Sequence, residues 1–176
     1  RKARVYQCYL ELHNMLTGEG YQGDTTAVSD SLNQSLVTEM VNSNEARNMV
    51  VILSGSPSDA AHIDKITGEL DKQHLNYQAF ICSAHKYTQK LLNILNDLEA
   101  SNYRLVYVTV AGRSNALSGV VACNTRHPVI ACPPFKDKLD MLVNVHSSLQ
   151  CPSKVPVMTI LEPNNVAISI SRIFSL

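Results

Sequence analysis

Short apolar runs rich in valine and isoleucine recur along residues 48–176 and alternate with longer amphipathic segments. The runs lack the polar alternation of half-exposed strands, so we predict strands that are covered on both faces. The predicted strands are Met49–Leu53, Tyr77–Cys82, Leu105–Val110, Val129–Cys132 and Val155–Leu161. The amphipathic segments predict helices at Asp59–His74, Thr88–Ala100, Asn115–Cys123, Lys138–Ser148 and Asn164–Phe174.

Strands that alternate with helices of this length predict right-handed βαβ crossovers and a parallel sheet with helices on both sides. The predicted class is therefore α/β, a three-layer αβα domain, and five units in a row favour the flavodoxin-like strand order 2-1-3-4-5. That order places strand 1 between strands 2 and 3, so the loops that leave their carboxyl ends are neighbours. Open parallel sheets bind ligands at this edge, so we expect a site there.

Residues 1–47 follow a different pattern and predict a helical N-terminal extension or linker. Apolar residues at helical spacing indicate an amphipathic helix at Ala3–Leu16. Ser29 or Asp30 can cap a second helix. We expect these residues to pack on the main domain or to link it to another domain. The chain begins without Met, which favours a processed chain or a fragment of a longer polypeptide.

Composition and charge bear on whether the chain binds nucleic acid, enters a membrane or forms disulfides. The 176 residues carry no net charge and no Lys/Arg run, which gives no argument for nucleic-acid binding. No apolar run approaches the ~20 residues of a membrane helix, and the N-terminus lacks a signal-peptide core. The five cysteines lack C-x-x-C pairs and zinc-ligand spacing, so we interpret them as buried free thiols in a reducing compartment, the cytosol.

The turn Gly55-Ser56-Pro57-Ser58-Asp59 follows the first predicted strand. Gly55 allows close approach of a ligand, and Ser56 and Ser58 add hydroxyl donors. Free amides at the start of the next helix favour a phosphate or carboxylate. Asp59 would repel a phosphate, so we expect it to accept hydrogen bonds from sugar hydroxyls. A Ser/Asp helix cap without a ligand is an equally good interpretation.

The turn Ser83-Ala84-His85-Lys86 follows the second predicted strand and carries an imidazole and an ammonium group. Histidine is suited to moving a proton near neutral pH, which makes His85 a candidate acid or base. A solvated loop histidine is the alternative.

The turn Ala111-Gly112-Arg113-Ser114-Asn115 follows the third predicted strand. It offers a second run of helix-start amides next to polar side chains, and a simple helix cap is again the alternative.

The other histidines lie on predicted helices or in distant loops, and we assign no chemistry to His13, His62, His74, His127 and His146. The chain has no P-loop, G-x-G-x-x-G, H-E-x-x-H or G-x-S-x-G motif, so the common signatures of nucleotide hydrolysis, dinucleotide binding, zinc proteolysis and serine hydrolysis are missing. A phosphorylated small molecule acted on by proton transfer is the remaining hypothesis.

Taken together, the three turns, the run to Gly119, Asn124-Thr125 and Pro128–Pro134 resemble the phosphoribosylaminoimidazole carboxylase family of purine biosynthesis. Lys86 and the Ala-Gly-Arg-Ser-Asn run are similar to its animal-type branch. That branch uses carbon dioxide directly, without ATP, biotin or metal, and is fused to a succinocarboxamide synthetase. The resemblance also implies an octamer with sites between subunits.

The resemblance implies carboxylation of 5-aminoimidazole ribonucleotide at C4, with His85 as the base or proton shuttle. It assigns the 5′-phosphate to Ser56 and Ser58 and the ribose hydroxyls to Asp59. The developing carboxylate is assigned to Lys86, Ser114 and Asn115, and the remaining substrate-binding residues are Gly55, Ser83, Ala84, Gly112 and Arg113. Two alternatives stay open: a mutase that moves a carboxylate from N5 to C4 of the same ring, and a non-catalytic flavodoxin-like module.

Overall fold

The computed structural model describes residues 48–176, so the helices and the boundary predicted around residues 1–47 lie outside the described residues. The strands are β1 (Asn48–Ser54), β2 (Tyr77–Ile81), β3 (Arg104–Val110), β4 (Val129–Ala131) and β5 (Met158–Thr159). The helices are α1 (Ala60–Lys72), α2 (Thr88–Glu99), α3 (Ala116–Cys123), α4 (Lys138–Leu149) and α5 (Pro163–Phe174). Within these residues, no helix has the length and apolar character needed to cross a membrane.

The five strands form one parallel sheet in the order β2-β1-β3-β4-β5. This is the predicted 2-1-3-4-5 order, and the flavodoxin-like three-layer fold is confirmed. β1 pairs with β3 along its whole length, from Asn48 beside Arg104 to Ser54 beside Val110. The carboxyl ends of these central strands are therefore in line, and the loops that follow them start side by side.

Successive side chains of β1 enter two separate cores, because neighbouring residues of a strand point to opposite faces. Val50 and Ile52 pack with α1 and α5, whereas Val51 and Leu53 pack with α2 and α3. All four are fully buried. The strand carries no polar side chain between Asn48 and Ser54, so its first hydroxyl is at the carboxyl end, next to the loop that follows.

The fifth strand is much shorter than the predicted Val155–Leu161. β5 pairs with β4 only through two positions, Met158 with Ile130 and Thr159 with Ala131. Lys154 has a positive φ of 67°, so the chain is still turning just before the predicted start. Pro156 follows at once and has no N–H to donate to a strand. The apolar pattern correctly predicted a fifth strand, but the strand begins later and has fewer residues than predicted.

Helix α4 differs from the other helices because its apolar side chains are exposed. Leu139 is 73% exposed and Leu142 62% exposed, and Phe135 and Val143 are also solvent-accessible. We call these residues (Phe135, Leu139, Leu142 and Val143) the α4 apolar patch. The residues that α4 buries are polar, Asn144 and Ser148, and they face the loop before α3.

Candidate active site

A cavity of about 750 Å³ opens at the carboxyl edge of the sheet, where the loops after β1, β2 and β3 meet. Its size suits a small-molecule ligand. The predicted site residues that line it are Gly55, Ser56, Ser58, Asp59, Ser83, Ala84, His85, Gly112, Arg113 and Ser114. Lys86 and Asn115 do not line it. The structure therefore brings most of the predicted residues of all three turns into one cavity.

The loop after β1 is shaped by its own hydroxyl groups. Ser54 Oγ donates to the Ser56 carbonyl at 2.8 Å, and Ser56 Oγ accepts from the Ser58 amide at 3.2 Å. The hydroxyls of Ser56 and Ser58 are 2.8 Å apart. Gly55 donates its N–H to the Val110 carbonyl at 3.0 Å, which joins this loop to the one after β3. The result is a loop held by its own hydrogen bonds, with two adjacent hydroxyls at the cavity.

Asp59 brings a carboxylate to the same end of the cavity. Ser54 Oγ donates to its Oδ2 at 3.2 Å, and the side chain is half-buried. Burial raises the pKa of Asp59, and hydrogen bonds from the Ser54 hydroxyl and the Ser56 backbone partly oppose that rise. The carboxyl group accepts a hydrogen bond from Ser54, in contrast to the serine hydroxyls, which can donate.

The loop after β2 holds His85 at the cavity with an unengaged ring. The loop is anchored by the Cys82 amide, which donates to the Ser54 carbonyl at 2.8 Å, and by the Tyr87 amide, which donates to the Ser83 carbonyl at 2.9 Å. His85 is exposed, and no group within residues 48–176 is seen to hydrogen-bond to its imidazole. Its neighbour Lys86 is exposed and lies outside the cavity lining. Of the two predicted catalytic groups, the structure places His85 alone in the cavity.

The loop after β3 is held from behind by Asn144, a residue of α4. Asn144 Oδ1 accepts from the Arg113 amide at 2.7 Å, and its Nδ2 donates to the Pro134 carbonyl at 2.7 Å. Arg113 has a left-handed backbone with φ of 60°, which only glycine adopts freely. A Cβ on Gly112 would lie 3.3 Å from Asn144 Nδ2, so this position has little room for a side chain. Asn144 thus connects two walls of the cavity, and it lines the cavity itself.

Asn115 acts as the N-cap of α3 rather than as part of the cavity lining. Its Oδ1 accepts from the Ser118 amide at 3.1 Å, and its Nδ2 donates to Ser148 Oγ at 3.0 Å. Ser118 Oγ also donates to Asn115 Oδ1 and lies 2.7 Å from Thr109 Oγ1. The helix-cap interpretation therefore describes its side chain, and this geometry does not support the predicted contact with a developing carboxylate.

His62 lines the cavity, although its position in the sequence led us to assign it no chemistry. Its Nε2 lies 3.1 Å from the Cys132 carbonyl oxygen and 3.3 Å from Cys132 Sγ. Burial lowers the pKa of His62 and raises that of the Cys132 thiol to about 12. One signal could have found it: His62 follows Asp59 by three residues, which puts both on one helical face. For Asn144, 31 residues after Arg113, the sequence offers no such signal.

The described cysteines are free thiols, but they differ in burial. Cys82 and Cys132 are buried as predicted, whereas Cys123 is exposed and Cys151 is intermediate. Cys8 lies outside the described residues.

Comparison with known proteins agrees with the resemblance of the three turns. The family model described as AIR carboxylase matches residues 49–176. A phosphoribosylaminoimidazole carboxylase from Treponema denticola is 42% identical over 130 residues, which cover 74% of this chain and 81% of that protein. A bifunctional phosphoribosylaminoimidazole carboxylase/phosphoribosylaminoimidazole succinocarboxamide synthetase from Drosophila melanogaster is 41% identical over 128 residues, which are 73% of this chain but 30% of that protein.

A solved structure extends the likeness to the fold. The crystal structure of Treponema denticola PurE aligns with a TM-score of 0.68 at 41% identity, covering 73% of this chain and 81% of that one. The matched family model spans nearly all of the described residues, and it includes the three loops that form the cavity. The chain therefore belongs to the AIR carboxylase family of enzymes.

Proposed function

We propose that this chain joins carbon dioxide to C4 of 5-aminoimidazole ribonucleotide, a step of purine biosynthesis. The observation that carries the proposal is the meeting of the three family-like turns in one cavity, with the unengaged imidazole of His85 exposed in it. Membership of the AIR carboxylase family supports the ring substrate. Lys86 and the Ala111–Asn115 run support the direct use of carbon dioxide, because they resemble the animal-type branch.

The polarity of the cavity supports one orientation of the ribonucleotide. The hydroxyls of Ser56 and Ser58 can donate hydrogen bonds, which suits the 5′-phosphate. The carboxylate of Asp59 is an acceptor, which suits ribose hydroxyls. With the phosphate and ribose held by the loop after β1, the aminoimidazole ring of the substrate extends toward the loops after β2 and β3.

The chemistry needs positioning and one proton acceptor. The exocyclic amine makes C4 of the ring enamine-like, so C4 attacks carbon dioxide and a C–C bond forms. Holding the two reactants together supplies much of the rate, since it removes the entropy of their encounter. The C4 proton then leaves as the ring regains its aromatic electrons, and His85 is the proposed acceptor of that proton. The side chains of Arg113 and Ser114, which line the cavity, are the proposed donors to the new carboxylate.

His85→Asn is the direct test of this proposal. Turnover is expected to fall about 100- to 10,000-fold, the usual worth of a general acid or base, while the ribonucleotide still binds. His74→Asn is the matched control, because His74 is exposed and outside the cavity. A His85→Asn variant with full turnover would contradict the assigned base. A wild-type chain that binds the ribonucleotide without turning it over would favour the non-catalytic module.

A comparison of substrates separates the carboxylase from the mutase. The direct carboxylase forms 4-carboxy-5-aminoimidazole ribonucleotide from 5-aminoimidazole ribonucleotide and carbon dioxide, with no nucleoside triphosphate or metal added. A mutase forms the same product only from the N5-carboxylated ribonucleotide. Product formation restricted to the N5-carboxylated substrate would overturn the carbon dioxide-using reaction. The absence of a cofactor requirement and the cytosolic location stay predictions.

A homo-oligomer is part of the proposal, with the α4 apolar patch as its contact surface. Phe135, Leu139 and Val143 of the patch also line the cavity, so a second copy seated there would border the site. We expect Leu142→Glu to lower the mass measured by sedimentation, because it places a charge in an apolar contact. Leu176→Glu changes a leucine that is even more exposed (98%, against 62% for Leu142) and lies outside the patch, and it serves as the control. An unchanged mass in Leu142→Glu would exclude the α4 apolar patch as the contact surface.

A synthetase domain on the same polypeptide, as in the Drosophila relative, stays a prediction.

A further inference from the structure

His62 is a second histidine of the cavity, and the proposed reaction leaves it without a role. It lies on the first turn of α1, three residues after Asp59. Lys65 follows three residues later and also lines the cavity. Residues three apart on a helix are neighbours on one face, so this side of the cavity carries a carboxylate, an imidazole and an ammonium group in sequence.

The hydrogen bond of His62 determines which ring nitrogen carries its proton. Nε2 lies 3.1 Å from the Cys132 carbonyl oxygen, and a carbonyl can only accept, so Nε2 is the donor. Burial lowers the pKa of His62 despite the opposing effect of that carbonyl, and the ring is therefore neutral at pH 7. Nδ1 then carries a lone pair, and none of the described residues hydrogen-bonds to it. His62 is therefore a cavity-lining residue with a free acceptor and no free donor.

Asp59 and His62 give the cavity two neighbouring acceptors, which in the sequence lie between the serine hydroxyls and the Lys65 ammonium group. Ser56 and Ser58 present hydroxyls, which is the chemistry of an anion site. Asp59 presents a carboxyl group that accepts from Ser54, and His62 presents an unprotonated nitrogen, Nδ1, that can only accept. A neutral imidazole beside a carboxylate gives little attraction for a phosphate. Two neighbouring acceptors suit a ligand that carries two neighbouring O–H donors.

We propose that His62 accepts a hydrogen bond from one ribose hydroxyl of the substrate through Nδ1, while Asp59 accepts from the adjacent hydroxyl. The inference rests on the proposed ribonucleotide substrate and deepens it. His62 becomes a residue that selects ribose over deoxyribose, because a site that hydrogen-bonds a hydroxyl discriminates against an analogue without it. The bond to Cys132 is what keeps the ring in the accepting tautomer.

His62→Gln separates the two nitrogens. The glutamine amide N–H reaches the position of Nε2 and keeps the donor to the Cys132 carbonyl, but nothing replaces Nδ1. His62→Asn does the reverse, since its amide oxygen lies near the position of Nδ1. His74→Gln is the matched control at an exposed histidine of the same chain segment. Each 176-residue chain is titrated calorimetrically with 4-carboxy-5-aminoimidazole ribonucleotide and with its 2′-deoxy and 3′-deoxy forms.

Wild type and His74→Gln are expected to bind each deoxy form roughly tenfold more weakly than the ribonucleotide, the worth of one hydrogen bond to a ligand hydroxyl. In His62→Gln the ribonucleotide itself binds roughly tenfold more weakly than to wild type. One of the two deoxy forms then binds as well as the ribonucleotide, because the hydroxyl that it lacks no longer has a partner. His62→Asn regains part of that loss. The proposal is overturned if both deoxy forms still bind His62→Gln roughly tenfold more weakly than the ribonucleotide, or if the substitution weakens all three ligands equally. A wild-type chain that binds none of the three ligands overturns the proposed function as well. Unchanged discrimination against the deoxy forms in His62→Gln overturns only the role of His62 and leaves the proposed function standing.

Discussion

Replacing Asn144 by alanine tests whether one buried carboxamide holds two walls of the cavity together. Asn144 is only 3% exposed, and its two hydrogen bonds to the Arg113 amide and the Pro134 carbonyl are both 2.7 Å long. Alanine removes both partners at once. The two backbone groups belong to different loops, so the change also removes the link between them.

The expected loss of stability follows from the groups left behind. A buried polar group without a partner costs about 1–3 kcal/mol. Both groups border an open cavity where water can reach them, so we take the lower part of that range and expect a total of about 2–3 kcal/mol. Arg113 adds to the local effect, because its left-handed backbone costs about 1–2 kcal/mol and its amide bond to Asn144 helps to hold it. The loop is expected to relax, which should raise KM and lower kcat together.

Urea denaturation and carboxylation assays on the same preparations measure both effects. Asn93→Ala is the matched control, since Asn93 is an exposed asparagine in the middle of α2 whose side chain accepts a hydrogen bond from Gln89 on the same helix face. A change below about 0.5 kcal/mol in Asn144→Ala, the range of ordinary surface substitutions, with unchanged kcat and KM would refute the reasoning.

The other predictions concern the support of the cavity and the opposite end of the sheet. Gly112→Ala should lower carboxylation more than stability, because its Cβ would lie 3.3 Å from a side-chain amide behind the loop; kcat, KM and the urea midpoint report this. Ser118→Ala should lower the free energy of unfolding by about 1–2 kcal/mol in urea, because Thr109 Oγ1 loses its 2.7 Å partner inside the core. Burial lowers the pKa of His127 from its ordinary 6.5, so the unfolded chain binds more protons and stability should fall as the pH drops below 6.5. His127→Asn should flatten that part of the pH dependence of the urea midpoint, and an unaltered slope would contradict the assignment.

The central sheet could be predicted because its strands are covered on both faces. Val50, Val51, Ile52 and Leu53 are all fully buried, and a short unbroken apolar run between amphipathic helices is typical of a central strand in an α/β domain. The strand order then places the loops of the site, since ligands of such sheets bind beyond the carboxyl ends. Gly55–Asp59 and its two counterparts were found by this topological rule.

The support of the site could not be predicted in the same way, because it is non-local. Asn144 contacts Arg113 across 31 positions, and His62 contacts Cys132 across 70. The pattern of apolar and polar residues around each position does not indicate either contact. Asn115 shows the converse limit: its place at a helix start is compatible with either a cap or a ligand, and only the contacts of its amide distinguish them.

The left-handed backbone at Arg113 has a consequence for the evolution of the domain. Glycine or asparagine occupies that region of φ more cheaply than arginine, so a laboratory selection for heat tolerance alone should enrich Arg113→Gly or Arg113→Asn. A selection for growth without external purines should restore arginine, if its guanidinium serves the cavity that it lines. The residue recovered at this single position would then record which of the two pressures a lineage has experienced.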